Sequence, residues 1–150
     1  MYYEAFMKRF APHRNEEGNL TLALGFGDAR VPAQAAADLG RTALGIFQHG
    51  ETLIGKRVSV AGNVLTGEQY AKAMSKVLGE PVIYQPLDPE VIRASAVPGA
   101  DEVANMLAYF VAAEKDIVGL IDRPLLLELN PRLETFESWL DAHKKAFSLI

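Results

Sequence analysis

The sequence contains no cysteine, which excludes a disulfide framework and any metal site built on thiolate ligands. It has no apolar run close to the ~20 residues that a bilayer span needs. Its opening residues, MYYEAFMKRF, lack the long apolar stretch of a secretory signal. We therefore expect a cytoplasmic protein without a membrane partner.

Positive charge is not in excess. The formal net charge is −4, and the densest basic groups are only Lys8–Arg9 and Lys144–Lys145. Because nucleic-acid binding needs a basic patch or stripe, we expect no nucleic-acid partner. The three histidines, His13, His49 and His143, are far apart in the sequence, so no pair of them has the spacing of metal ligands.

The motifs of several enzyme classes are also absent. The stretch GFGDAR supplies Gly25 and Gly27 of a G-x-G-x-x-G dinucleotide fingerprint, but Arg30 stands at the position of the third glycine. The sequence has no Tyr-x-x-x-Lys pair and no G-x-S-x-G nucleophile elbow. We therefore predict no catalytic residue, no metal and no cofactor-binding residue in this chain by itself.

The composition is that of an ordinary globular protein. The chain has 150 residues, of which 49% are hydrophobic, and its mean hydropathy is +0.05. This length is enough for one domain, residues 1–150, with a core of its own.

The stretch AGNVLTGEQ carries Gly62 and Gly67 at the spacing of a phosphate-binding P-loop, between a predicted strand and a predicted helix. The P-loop pattern G-x-x-x-x-G-K-S/T then requires lysine and a hydroxyl residue, but Glu68 and Gln69 follow. Thr66 and Gln69 match the capping box S/T-x-x-E/Q instead. We therefore interpret the stretch as a tight strand-to-helix turn.

The hydrophobic pattern predicts a mixed α/β protein with few strands. Strands are expected at Leu20–Leu24, 57–61 and 81–87, and the helix between the last two completes a βαβ unit. Residues 2–11 have helical spacing, 25–34 are expected to form a loop and 89–97 a short helix, while 119–131 are left without an assignment.

Four helices have a predicted buried face. These faces are Leu39, Ala43, Ile46 and Phe47 in residues 35–50; Tyr70, Met74, Val77 and Leu78 in 66–80; Val103, Leu107, Phe110 and Val111 in 98–115; and Phe136, Trp139, Leu140 and His143 in 134–147.

Several stretches resemble the NmrA-like family, whose members are atypical short-chain dehydrogenase/reductases. AAADLGRTALGIF resembles the family's D-I/L-G helix, and LIGKRVSVAGNVLTGEQYAKAMSKVLGEPVIYQPLDPEVIRA resembles its strand–glycine–LT–helix–LG–x–PV–x–Y block. GADEVANMLAYF resembles a downstream helix with an asparagine–methionine pair, here Asn105–Met106. LNPRLETFESWLDAHK resembles the closing N-P-x-L-x-T-F-x-x-W-L signature. The opening YYEAFMKRF resembles an aromatic-rich segment of the family, although Ala5 stands where many members have asparagine.

The resemblance covers nearly the whole chain, but it is to the C-terminal half of the family only. It implies an α/β fold: the C-terminal part of a Rossmann-type NmrA-like fold, with one βαβ unit and a helical substrate or lid domain, and without the N-terminal dinucleotide-binding part. It also implies NAD(P) as the cofactor of the intact protein, which would be an oxidoreductase or a dinucleotide-sensing regulator.

Three functions remain open at this point. The chain can be the substrate-side part of an NmrA-like protein that needs a Rossmann half from another chain. It can be a stand-alone interaction module that self-associates, or a small-molecule binder that keeps only the lid pocket. An unpaired strand edge invites pairing with another chain, so we expect self-association or a large apolar patch.

The family's lid position implies that aromatic and thioether side chains line any substrate pocket. The residues in question are Tyr2, Tyr3, Phe6, Tyr84, Met106 and Phe110. The alternative is that these residues belong to the core, as aromatic and methionine residues at helical spacing usually do.

Overall fold

The structure, a computed structural model, describes residues 1–95 and 98–147. Within these residues it forms five short strands: β1 (His13–Arg14), β2 (Leu20–Leu24), β3 (Val31–Ala33), β4 (Asn63–Leu65) and β5 (Val82–Pro86). The α-helices are α1 (Ala36–Gln48), α2 (Gly67–Leu78), α3 (Pro89–Arg93), α4 (Ala100–Ala112), α5 (Glu114–Gly119), α6 (Arg123–Leu129) and α7 (Phe136–His143). Three 3₁₀ turns lie at Tyr3–Met7, Gly50–Leu53 and Lys144–Phe147.

The larger sheet has the strand order β1-β2-β5. β1 runs antiparallel to β2, whereas β2 and β5 are parallel, in register from the pair Leu20 and Val82 to the pair Leu24 and Pro86. The three leucines of β2 are almost completely buried, and so is Thr21. Burial on both faces is typical of a strand in parallel pairing, and the strand predicted at Leu20–Leu24 is confirmed.

The smaller sheet corrects the predicted βαβ unit. β4 pairs antiparallel with β3, so it lies in a different sheet from β5. The segment β4–α2–β5 is therefore not a βαβ unit, because its two strands do not share a sheet. The residues predicted as a loop, 25–34, contain β3, which supplies the partner of β4. Three-residue strands carry too little periodicity to be recognised in a sequence.

The strand predicted at 57–61 is also absent: these residues have no ladder partner among the described residues. Val58 and Val60 are half-buried, while Arg57 is exposed. Their β-branched composition suits a pleated surface, but such a preference is realised only when a neighbouring strand is present.

The predicted capping box of α2 is confirmed. The Gln69 backbone N–H donates to Thr66 Oγ1 at 3.2 Å, and the Thr66 N–H donates to Gln69 Oε1 at 2.9 Å. Gly79 ends the helix with a φ of +83°, the left-handed conformation that glycine adopts without strain. α7 begins with a second capping box, formed by Thr135 and Ser138.

Several other predictions need revision. Residues 2–11 form a 3₁₀ turn, not a full helix, and the unassigned 119–131 contain α6. The long helix predicted for 98–115 ends at Ala112, with α5 following. The predicted short helix is confirmed as α3, with Pro89 in its first turn, although Ala96 and Val97 lie outside the described residues. In the part of the chain that the structure covers, no helix is long and apolar enough to cross a membrane.

An aromatic cluster forms the centre of the core. Tyr3 and Phe6 pack against Phe136 with ring centroids 5.1 and 4.8 Å apart. Tyr70 of α2 packs on Phe136 at 4.8 Å, and Trp139 of α7 packs on Tyr3 at 5.5 Å. Separations in this range are favourable for aromatic pairs, so the cluster joins the first turn of the chain to α2 and α7.

The capping box gives a direct test of the α2 boundary. Thr66→Ala removes the oxygen that accepts the Gln69 N–H, and we expect the free energy of unfolding to fall by about 1 kcal/mol. Thr66→Ser keeps that oxygen and should cost less than half as much. Urea unfolding followed by circular dichroism measures both variants, and equal losses would contradict the role of the cap.

Candidate functional site

Helix α1 turns its polar side toward the protein. Its fully buried residues are Asp38 and Thr42, with Gly45 on the same side. At 100° per residue these three positions fall within roughly 60° of the helix circumference. This is the reverse of an ordinary surface helix, whose apolar stripe faces the core.

A buried carboxylate explains this orientation. Asp38 Oδ1 accepts hydrogen bonds from Asn130 Nδ2 at 2.9 Å and from Arg41 Nη1 at 3.1 Å, and Oδ2 accepts from the Glu134 backbone N–H at 3.0 Å. Arg41 also reaches the Glu134 carboxylate at 3.0 Å. Hydrogen bonds to a charged group stabilise more than neutral ones, so Asp38 ties α1 to the segment that leads from α6 to α7.

Gly45 allows the close contact between α1 and α6. A Cβ atom at this position would collide with the backbone of Leu129, including its carbonyl oxygen. The D-I/L-G-type helix and the closing N-P-x-L-x-T segment, noted separately in the sequence, therefore contact each other directly.

The apolar side of α1 faces outward. Leu39, Leu44 and Phe47 expose 44%, 57% and 82% of their surface, respectively. The small residues Gly40 and Ala43 lie between them on the same arc, which spans roughly 140°. We call these five residues the α1 face.

The α1 face corrects the prediction for this helix. Leu39, Ala43, Ile46 and Phe47 were the expected buried face, but Leu39 and Phe47 are exposed and the other two are half-buried. Helical periodicity identifies an apolar face without saying which element covers it. A large apolar patch on a monomer marks an interaction surface.

The chain that follows α1 has an exposed apolar residue and, in the part of the chain that the structure describes, a segment without a strand partner. Ile54 exposes 76% of its surface, and residues 57–60 run on without a strand partner among the described residues. Unpaired N–H and C=O groups of a β-branched segment are a template for another strand. The α1 face and residues 57–60 together form the candidate functional site, a surface for a second structural element.

Tyr3 and Phe6, two of the six predicted pocket residues, are fully buried in the aromatic core. The Tyr3 hydroxyl donates to Asn63 Oδ1 at 3.4 Å, and the same oxygen accepts the Phe136 N–H. These contacts favour the core alternative for both residues.

Of the other four predicted residues, Tyr84 and Phe110 pack against the same core, whereas Tyr2 and Met106 are exposed. Tyr2 is exposed beside Gln34, and Met106 is exposed on α4. Phe110 packs edge-on against Phe26, with ring centroids 6.5 Å apart. Tyr84 donates to the Gly27 carbonyl oxygen at 2.9 Å. The described residues do not bring the six side chains together in one pocket.

The glycines of AGNVLTGEQ form no cradle for the phosphates of NAD(P). A Cβ atom on Gly62 would collide with the Glu134 carbonyl and the Tyr3 hydroxyl, and one on Gly67 would collide with the Tyr84 ring. Protein atoms thus fill the space that a phosphate would need. Among the described residues no group of three or more His, Asp or Glu side chains could hold a metal ion.

A groove with a volume of about 1290 Å³ lies between α2 and α7. Charges of both signs line it: Lys72, Lys144 and Asp141 are exposed there, and Lys76 pairs with Glu137. A surface with interspersed charges creates no strong field for a ligand of one sign, so we assign no ligand to this groove.

Comparison with known proteins places this geometry in a family. A sequence model of the NmrA-like family matches residues 1–140. The crystal structure of an NADPH-dependent quinone oxidoreductase from Escherichia coli is 24% identical, with a TM-score of 0.70; the alignment covers 96% of this chain and 52% of that one.

Two further solved structures have the same fold. The negative transcriptional regulator NmrA in complex with NADP is 17% identical, with a TM-score of 0.69 and coverage of 99% of this chain and 52% of that chain. The triphenylmethane reductase of Citrobacter sp. complexed with NADP(H) is 17% identical, with a TM-score of 0.61 and coverage of 86% and 44%. The chain therefore spans about half the length of the proteins it matches.

The Asp38 hydrogen bonds can be tested by substitution. Asp38→Asn leaves at least one donor facing another donor in a buried site, and we expect it to lower the free energy of unfolding by about 3 kcal/mol. Asp101→Asn is the control, because the Asp101–Arg93 pair is exposed and worth at most about 1 kcal/mol. A loss below about 1 kcal/mol for Asp38→Asn in urea unfolding would contradict the proposed role of this carboxylate.

Because two tyrosines are buried, we expect the free energy of unfolding to fall at alkaline pH. Burial raises the pKa values of Tyr3 and Tyr70 above the ordinary value of 10. Near pH 10 the two phenols lose their protons only in the unfolded chain. The contribution of the two protonated phenols to the free energy of unfolding is therefore complete below pH 10 and falls as the pH rises above 10. Each phenol lowers the free energy of unfolding by up to about 1.4 kcal/mol for every pH unit above 10.

Urea unfolding at intervals between pH 9 and pH 11 measures this fall. Tyr3→Phe and Tyr70→Phe should each reduce the rate at which the free energy of unfolding falls with pH. An unchanged rate in both variants would refute the assignment of this fall to the two buried phenols.

Proposed function

The chain belongs to the NmrA-like family, and we propose that it is the substrate-side part of an NAD(P)-linked member of that family. In this proposal the working protein is an oxidoreductase or a dinucleotide-responsive regulator, and a separate dinucleotide-binding half supplies the cofactor site. The chain alone neither binds NAD(P) nor catalyses a reaction.

The outward apolar side of α1 is the observation that carries the proposal. A phenylalanine that exposes 82% of its surface, on a helix that buries a carboxylate, is unfavourable in a stand-alone protein. Burying one such side chain contributes about 1.5–3 kcal/mol. The small residues Gly40 and Ala43 would let another element approach the helix closely.

Residues 57–60 support the same interpretation. A strand from a Rossmann sheet placed beside them would satisfy their backbone groups and convert an irregular segment into a strand. The length comparison agrees with this, since the relatives are about twice as long as the chain.

The second candidate is a self-associating interaction module. The same α1 face favours it, because two copies could bury their apolar residues against each other in an isologous contact. A sensing role without catalysis is compatible with either form.

Two measurements on the chain test the proposal. Titration with NADPH, followed by cofactor fluorescence, should show no saturable binding at micromolar concentrations; tight binding would refute the half-protein interpretation. Sedimentation should show self-association through the α1 face, which Phe47→Glu weakens at least tenfold because a charge would enter an apolar contact.

A matched control separates the interface from the fold. Gln48→Glu introduces the same charge at an exposed neighbouring position outside the α1 face and should leave association unchanged. Phe47→Glu should alter the unfolding free energy of the monomer by less than about 0.5 kcal/mol. A clean monomer at high concentration that binds no hydrophobic dye would contradict an interaction role for the face.

A further inference from the structure

A small cavity, separate from the α1 face, opens at the carboxyl end of the parallel pair β2 and β5. Its volume is about 200 Å³. The Leu87 N–H, just beyond β5, donates to the carbonyl of Leu24 at the end of β2 at 2.9 Å, which holds the two strand ends together. Ligands of open α/β sheets commonly bind outside the carboxyl ends of parallel strands.

We call this cavity the β2–α4 pocket. Its lining is mostly apolar: it includes Phe10, Leu87, Ile92, Ala100 and Val103, together with Arg9. Ser95 also borders it, but its hydroxyl already donates to the Ile92 carbonyl at 2.7 Å. The guanidinium of Arg9 is therefore the one cationic group available to a ligand among these lining residues.

Arg9 is available because it is not engaged elsewhere. It is exposed and forms no ion pair or side-chain hydrogen bond within residues 1–95 and 98–147. By contrast, Arg14 and Arg30 each pair with a glutamate. An uncompensated guanidinium beside an apolar cavity favours a carboxylate, which it can bind through two parallel hydrogen bonds.

The walls of the pocket are held in place by the other arginine nearby. Arg93 of α3 donates to Glu90, to Asp101 at 3.2 Å and to Asn105 Oδ1 at 2.9 Å. These bonds fasten α3 to α4 and occupy the carboxylates of Glu90 and Asp101.

We propose that the β2–α4 pocket binds a compact apolar monocarboxylic acid, with its apolar part among the apolar side chains and the carboxylate on Arg9. A volume of 200 Å³ is that of roughly seven water molecules in the liquid, enough for one ring with a short substituent and too small for a dinucleotide.

The probe for the test is benzoate, titrated into the chain at pH 7 while the methyl NMR signals of Ile92 and Val103 are recorded. We expect saturable shifts of both signals with a dissociation constant below about 10 mM. Arg9→Gln should weaken binding at least tenfold but change the affinity for benzyl alcohol, a neutral ligand of similar shape, by less than twofold.

Two further variants complete the design. Lys8→Gln removes the same charge from the neighbouring exposed position and should leave benzoate affinity unchanged. Val103→Phe fills the pocket and should abolish the binding of both ligands, with circular dichroism confirming that the variant is folded.

Three results would overturn the proposal: no saturation by benzoate, an equal loss in Arg9→Gln and Lys8→Gln, or inorganic phosphate binding as tightly as benzoate. Equal binding of phosphate would mean that the apolar cavity contributes nothing to the affinity for benzoate. Binding of NADPH by the chain bears only on the proposed function and leaves this site unaffected.

Discussion

The buried carboxylate of Asp38 is the constraint on which the rest of the structure depends. Its oxygens take hydrogen bonds from Arg41, Asn130 and the Glu134 backbone, so α1 must turn its polar side inward. A buried charge is tolerated only when it is paired and hydrogen-bonded, and rotating the helix would break the bonds to Asn130 and Glu134 at once. The close contact between Gly45 and Leu129 fits this one orientation.

The outward position of the apolar residues follows directly. With Asp38 and Thr42 inside, Leu44 and Phe47 can only face away from the packed core. Residues 57–60 are also left without a partner, because their backbone groups form no ladder with any strand in the described chain. A chain that spans about half the length of its structural relatives thus has a well-packed aromatic core on one side and an apolar surface on the other.

Local chemistry was readable from the sequence, and long-range contacts were not. The capping box at Thr66 and the glycine stop at Gly79 depend on residues close in the chain, and both are confirmed. The resemblance carried by four short stretches predicted the family, which the comparison of residues 1–140 confirms. The six predicted pocket residues failed to converge because a family position gives each residue a region of the fold but not the direction of its side chain. Arg9 carried no signal at all, since a lone exposed arginine is ordinary.

By itself the sequence determined the protein's family, its mixed α/β class and both ends of α2, because each is encoded in residue types at short, fixed spacings. The tertiary structure alone decided that β4 pairs with β3, that α1 buries an aspartate, and that the P-loop-like glycines contact Glu134 and Tyr84. These outcomes depend on which segments, far apart in the chain, compete for the same space. The periodicity of a segment shows which of its faces is apolar, but only the packing of the folded chain decides which face is buried.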